Sequence, residues 1–318
     1  MNRLKFNALL LVGLMIAFVS CTDEVNIDLK DNEPVFTVDA WLDNLNTTQT
    51  ITLTRSTDFF DNEGLPPGVT GAEVYVTDGD GIRFDFVENT DGRYVWNSSD
   101  DKGLGTIGQT YTLTIVDGST TYSASTTMLP TTSVDTVYFV EEEDPFEGDY
   151  VRADFQALDR PEIGNTYWVK AYKNGEFLYT VNDINIAYDA AFSESGGEDQ
   201  NGVTFIPPIR FSINDFDEIP IYEEGDVVKV EIHSISEDAF DFLNLVIAQS
   251  DREAGFGALF EAPLNNVTTN ITSSVEGELV MGMFNIAAVA VGERQLVLDE
   301  VLPLGCFFTE ELEIECPE

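Results

Sequence analysis

Apolar residues recur at every second position through most of this 318-residue chain, in short runs that end on glycine, asparagine or aspartate. That period suits strands with one buried face and leaves little room for helices. Val35-Phe36-Thr37-Val38-Asp39-Ala40-Trp41-Leu42 opens the pattern, and Thr50-Ile51-Thr52-Leu53-Thr54 repeats it. Residues 72–76 and 82–87 flank the turn Asp78-Gly79-Asp80-Gly81, and Asp91-Gly92 precedes Arg93-Tyr94-Val95-Trp96. Tyr111, Leu113 and Ile115 alternate with threonines up to Asp117-Gly118, after which residues 121–127 return as a hairpin partner. About seven strands with regular turns over roughly a hundred residues predict an immunoglobulin-like β-sandwich across residues 34–130.

Met128-Leu129-Pro130-Thr131-Thr132-Ser133 has the composition of a linker. It places a second β-rich domain over residues 131–318. Strands are expected at 136–140, 151–158, 167–173 and 177–181, the last two joined by Asn174-Gly175, the strongest short hairpin signal in the chain. Residues 189–202, with Phe192, read as a polar, glycine-rich surface loop. A strand at 227–232 runs into the one expected helix, 237–252. Either Ser234 and Glu237 form a capping box, or Ser236 caps directly with Glu237 and Asp238 in the first turn. Phe240, Leu243 and Ile247 are its buried stripe, and Gly255 lies past its end. Two or three further strands fall between 277 and 301.

Ahead of these strands, Arg3 and Lys5 precede an apolar run from Phe6 to Val19 that stops at Ser20-Cys21. As a helix that run spans roughly 21 Å, short of a bilayer core of about 30 Å. Residues 1–20 therefore read as a signal peptide and not as a membrane span. A small residue followed by cysteine resembles a bacterial lipoprotein signal, with Cys21 acylated and residues 21–33 forming a tether. Thr22-Asp23-Glu24 resembles the acidic export signals of Bacteroidota surface lipoproteins. The expected place is the outer membrane, lipid-anchored and facing outward; retention on the periplasmic face is the alternative.

The chain holds 58 acidic and 15 basic residues, a net charge of −43. Residues 1–20 carry two of the bases and no acid, so the remainder carries −45. A field of that sign repels phosphate backbones, which argues against nucleic acid as a partner. It favours cationic partners, divalent ions or simple solubility. Cys306 and Cys316 can close a small loop in an oxidising compartment, worth roughly 3 kcal/mol, although spacing alone does not decide whether they pair. With no histidine nearby they make a poor zinc site.

Catalytic patterns are sparse. His233 is the only histidine, so a Ser-His-Asp arrangement has a single candidate base, and its alternation with Val230 and Ile232 favours a packed or capping role. Nucleophile-elbow, phosphate-loop and dinucleotide fingerprints are absent from the sequence. No cofactor is implied. Structural calcium is the one ion the acids could hold, at Asp58, Asp61 and Glu63 or at Glu141-Glu142-Glu143-Asp144; Asp78–Gly81 lacks later ligands at EF-hand spacing and reads as a turn. The loop from Thr57 to Gly71 carries Phe59-Phe60 between Asp58 and Asp61, a candidate binding loop whose aromatics could equally plug the sandwich end. Asp135-Thr136-Val137 resembles a Bacteroidota O-glycosylation acceptor, which would place a glycan on Thr136.

Taken in order, several segments resemble one family. They are Val38-Asp39-Ala40-Trp41-Leu42, Ile51-Thr52-Leu53-Thr54-Arg55-Ser56, Gly71-Ala72-Glu73-Val74, Gly108-Gln109-Thr110-Tyr111-Thr112-Leu113 and Thr127-Met128-Leu129-Pro130, then Val230-Glu231-Ile232-His233-Ser234-Ile235-Ser236, Val267-Thr268-Thr269-Asn270-Ile271 and Gly282-Met283-Phe284. The family is that of Bacteroidota outer-membrane lipoproteins grouped as domain-of-unknown-function family 4249. Ala287-Ala288-Val289 departs from it, standing where a more polar, aromatic stretch is usual. The resemblance implies a two-part β protein, often encoded beside TonB-dependent transporters, with no catalytic residues to carry over. The first domain is also similar to carboxypeptidase-regulatory-like sandwiches. The expected function is a non-enzymatic accessory that binds a ligand or a TonB-dependent transporter in nutrient uptake. A structural or adhesive surface protein is the alternative, and a carboxylate-dependent glycan hydrolase, needing two acids that converge in a cleft, is the third.

Overall fold

The computed structural model describes residues 34–57, 64–98, 104–146, 148–178, 184–192, 200–215, 221–250 and 267–317. Period-two patterning decides the first layer. Strand β1 (Phe36–Asp43) buries Phe36, Val38, Ala40 and Leu42 and turns Thr37, Asp39, Trp41 and Asp43 outward. The same alternation runs through β2 (Thr48–Arg55), β3 (Glu73–Thr77), β6 (Thr110–Asp117) and β7 (Thr120–Thr127). Between them, β4 (Arg83–Thr90) and β5 (Arg93–Asn97) complete a seven-strand set. Residues 83–86 of β4 pair with β3, while Val87, Glu88 and Thr90 pair with β5, with an irregularity in register between Glu88 and Thr90. One strand thereby serves two sheets. The resulting orders, β1-β2-β5-β4 and β3-β6-β7, are those of a seven-strand immunoglobulin sandwich.

The two layers close on a single core. Phe36 of β1 stacks on Tyr122 of β7 with ring centroids 4.0 Å apart and planes within 7°. Tyr111, at the start of β6, accepts the Thr106 N–H at 2.5 Å, the bond back to upstream backbone that marks a tyrosine corner. Tyr94 does similar work on the 64–72 loop, donating to the Val69 carbonyl and accepting from the Ala72 N–H.

Beyond Pro130 the chain builds a second core. A hairpin of β8 (Thr136–Asp144) and β9 (Gly148–Gln156) packs Val137, Phe139, Ala153 and Phe155 against one face of a second sheet. That sheet holds β10 (Thr166–Lys173), β11 (Glu176–Phe177), β12 (Asn185–Tyr188), β13 (Val227–Ser234) and β16 (Val289–Gln295), with order β11-β10-β13-β16 and β12 also on β10. Asn174 and Gly175 both take positive φ, 53° and 85°, the geometry of the two-residue hairpin turn expected there. A short helix α1 (Pro207–Phe211) covers β9, an element the sequence pattern did not announce.

Helix α2 (Glu237–Ser250) lies where a helix was expected. Ser236 is its cap, its hydroxyl accepting the Ala239 N–H at 3.2 Å. Ser234 serves elsewhere, donating to the Leu129 carbonyl. The C-terminus forms a small hairpin, β17 (Phe307–Phe308) and β18 (Ile314–Glu315), and Cys306 and Cys316 are disulfide-bonded across it.

The two cores do not part at Pro130. Strand β14 (Thr272–Ser273) adds to β7, and β15 (Val280–Ala287) runs parallel to β1, so two late strands extend the continuous path through both layers, joined at β4, to nine strands. Residues 34–318 form one compact unit. From β15 the chain continues through Ala288 straight into β16 of the second sheet. Gly282 of β15 lies so close to β1 that a Cβ would sit 1.8 Å from the Val38 carbonyl oxygen, and its φ is +102°. Gly282→Ala should therefore lower stability by roughly 2 kcal/mol or more, read as a fall in urea midpoint with unchanged slope.

Candidate functional site

Among the described residues two places concentrate chemistry, and they differ in kind. The first lies on the outward face of the second sheet, where alternation that buries Val169, Val230 and Ile232 turns Trp168, Lys170 and Tyr172 of β10 and Lys229, Glu231 and His233 of β13 the other way. Trp41 of β1 meets this face, its ring centroid 5.1 Å from that of Trp168, and 6.0 Å from Phe242 of α2. Glu231 is the hub. It accepts Lys229 Nζ at 2.7 Å on Oε1, and Tyr172 Oη and His233 Nε2, each at 3.0 Å, on Oε2. Lys170 Nζ lies 4.1 Å from the Trp168 ring centroid, and Lys229 Nζ 3.7 Å from that of Tyr172.

Burial works against Glu231, yet the bonds from His233 and Lys229 more than reverse it and hold its pKa at about 2. His233 is pushed below its ordinary value by burial and by the Lys170 charge, with Glu231 opposing. Lys170 is lowered by burial against the pull of Asp43, Glu231 and Asp39. Asp39 keeps solvent contact but is crowded by protein, and burial raises its pKa against Lys170. Asp39, Asp43 and Glu231 are thus the acids whose charge acts on Lys170. Glu231 already accepts three donors, and Asp43 Oδ1 accepts the Gln49 amide and the Leu45 N–H. The arrangement is a polar joint between layers, with His233 in the packed role its alternation suggested.

The second place is the β8–β9 hairpin. Its inner face joins the second core; its other face carries Tyr138, Arg152 and Asp154. Arg152 bonds Glu142 at 2.5 Å and Asp154 at 3.3 Å, and Arg210 of α1 lies 3.5 Å from the same Asp154. Burial and Asp154 raise the Tyr138 phenol to about 12, so it stays protonated, and Phe308 packs edge-on against it at 4.8 Å. Leu302 docks on the edge of β8, donating to the Phe139 carbonyl and accepting from the Glu141 N–H, both at 2.9 Å. That contact is one residue long, and a cavity opens on each side of it. One, of about 200 Å³, lies among Val137, Tyr138, Leu302, Phe308 and Ile314, with Thr136 and Arg294 at its wall. The other, of about 210 Å³, lies among Glu141, Glu143, Asp149, Tyr150 and Leu304. Phe146, at the hairpin tip, is 93% exposed.

A family model matches residues 22–293, most of the chain. The chain belongs to the family described as Domain of unknown function (DUF4249). No curated protein matches it. In this DUF4249 member the wall supplied by Leu302, Leu304, Phe308 and Ile314 lies beyond the matched region.

The other expected residues fall as follows. Cys21 and the Asp58, Phe59, Phe60, Asp61 loop lie outside the described residues. Cys306 and Cys316 pair. Thr136 is half-buried in β8, lining the apolar cavity. Asp78 Oδ1 accepts the Asp80 and Ile82 N–H groups, closing the β3–β4 turn on itself. Among the described residues no three His, Cys, Asp or Glu side chains gather as a metal set. The cavities could not be read from sequence, because Leu302 and β8 are brought together by the path of the tail; the run Glu141–Asp144 was the only local signal.

His233 gives a direct test of the joint. As the only imidazole, its NMR signals are unambiguous, and they should report a neutral ring at pH 6 and titrate well below 6.5. Because the unfolded chain takes this proton more readily, stability from His233 is present above pH 6.5 and lost as pH falls below it. Glu231, lowered from 4.5 to about 2, loses its contribution in the same direction over that lower window.

Proposed function

We propose that this protein is a lipid-anchored component of the outer membrane that works by binding, as an accessory to a TonB-dependent transporter. The observation that carries the binding reading is the β8–β9 hairpin, with a half-covered edge, two small cavities and a solvent-facing Phe146 at its tip. Exposed aromatics and side-chain-sized cavities on a rigid β scaffold suit recognition of another molecule. The anchor reading is supported by the basic and apolar residues before Cys21, and by a family match that begins at the next residue. Outward display is supported by the acids after Cys21 and by a charge of −43, which suits contact with cationic groups.

Affinity purification of the tagged protein from its native outer membrane in mild detergent tests this reading. A transporter barrel should be recovered in stoichiometric amount, and Cys21→Ala should move the protein out of the membrane fraction. Recovery of the protein alone, or membrane association unaltered by Cys21→Ala, would overturn the corresponding half of the proposal.

A further inference from the structure

Two separate cavities flank the Leu302 contact on β8, and their sizes bear on what each could hold. Small-molecule pockets usually run from roughly 300 Å³ upward. These cavities, about 200 and 210 Å³, are each below that and of a size to take one side chain. The first centres on residues 136–139 of β8 and the second on residues 141–143, a separation of roughly 15 Å at the rise of a strand. In an extended chain, side chains on one face recur at every second residue, so that distance corresponds to positions i and i+4.

The two cavities differ in chemistry. The first has Val137, Tyr138, Leu302, Phe308 and Ile314 in its wall, with Arg294, Gln295 and Glu300 also lining it, and its apolar part suits a bulky apolar side chain. In the second, Glu143 stands directly opposite Asp149 in the ladder, with Glu141 two residues along. Like charges facing each other across a strand pair destabilise it. Among the described residues none of these three acids has an ion-pair partner, whereas Glu142 has Arg152. Their repulsion is relieved when a cation enters. A second copy of this chain, at −43, is a poor donor of that cation.

We propose that these two cavities dock an extended, basic segment of a partner protein that passes over Leu302, seating an apolar side chain in the first cavity and a Lys or Arg four residues away in the second. The proposal rests on the binding reading above and names the chemistry of its partner. The long-range field of the chain would speed capture of such a segment.

The test uses the full chain in detergent and a fluorescein-labelled peptide bearing phenylalanine and arginine four residues apart in a Ser/Thr background, followed by anisotropy. Binding should weaken at least tenfold when the arginine becomes glutamate, when the phenylalanine becomes serine, or when the spacing is reduced to one residue. Glu143→Gln with Asp149→Asn should weaken binding at least tenfold while raising the urea midpoint, a pair of opposite signs that damage to the fold would not produce. Equal binding of the arginine and glutamate peptides, or undiminished binding by the double variant, would overturn the proposal. A membrane partner recovered equally by the original chain and the double variant would overturn the cavity assignment while leaving the binding reading intact.

Discussion

The rest of the structure depends on one uninterrupted path, β15 through Ala288 into β16. It makes the outer strand of the first sheet and the outer strand of the second sheet the same piece of chain. The crossing point is built from residues that can be buried without a polar remainder, Ala287 and Ala288, both within 2% of full burial. Their backbone groups are taken by the flanking layers. Asn44 donates its N–H to the Ala287 carbonyl and accepts the Val289 N–H on its side chain, while Ser234 bonds Ala288 through both backbone and hydroxyl. A larger residue at 288 would push the sheets apart. The small residues that depart from the usual family stretch therefore stand at the crossing, where Ala287 and Ala288 are buried.

This crossing explains why the charged cluster around Glu231 exists. It lays the outward face of β1 against the outward faces of β10 and β13, and each of those faces carries polar side chains because its other side is already committed to a core. Lys170, Lys229, Asp39, Asp43, Glu231 and His233 are thus gathered by topology. Unpaired, any one of them would be costly to enclose. The hub on Glu231 and the aromatic faces of Trp168 and Tyr172 satisfy most of that demand. Removing one partner would strand the others, so the joint fixes the relation between layers more than it adds to net stability.

What the sequence revealed follows the range of the interaction. Turns written by two adjacent residues, such as Asn174-Gly175, and alternation within single strands were legible, and with them the seven strands of a sandwich in residues 34–130. The helix was legible too, although only the structure chose Ser236 over Ser234 as its cap, because Ser234 is claimed by Leu129 and Ala288. The parallel pairing of β1 with β15 joins Phe36 to Val280, and no local pattern encodes a partner that distant. Core membership passes from Met128 in the first cluster to Val137 in the second across the stretch at Pro130, but composition carries no record of strands that return. The cavities were hidden for the same reason, since one wall comes from β8 and the other from the tail.

The open edges of the molecule are treated unequally, and the inequality bears on the cavities. On β9, the Asn214 amide accepts the Ala153 N–H at 2.7 Å and donates to its carbonyl at 3.0 Å, filling the place of a neighbouring strand. On β15, Asn270 does the same for Phe284, at 3.0 and 2.8 Å. Such plugs remove the templates that draw strands of other molecules. Among the described residues the edge of β8 has instead Leu302 alone, and the following Pro303 cannot donate to continue the ladder. A chain that closes two edges with side-chain amides has the means to close a third. Leaving this one half-paired, between an apolar cavity and a set of unpaired acids, keeps out strands of like charge and admits a basic one.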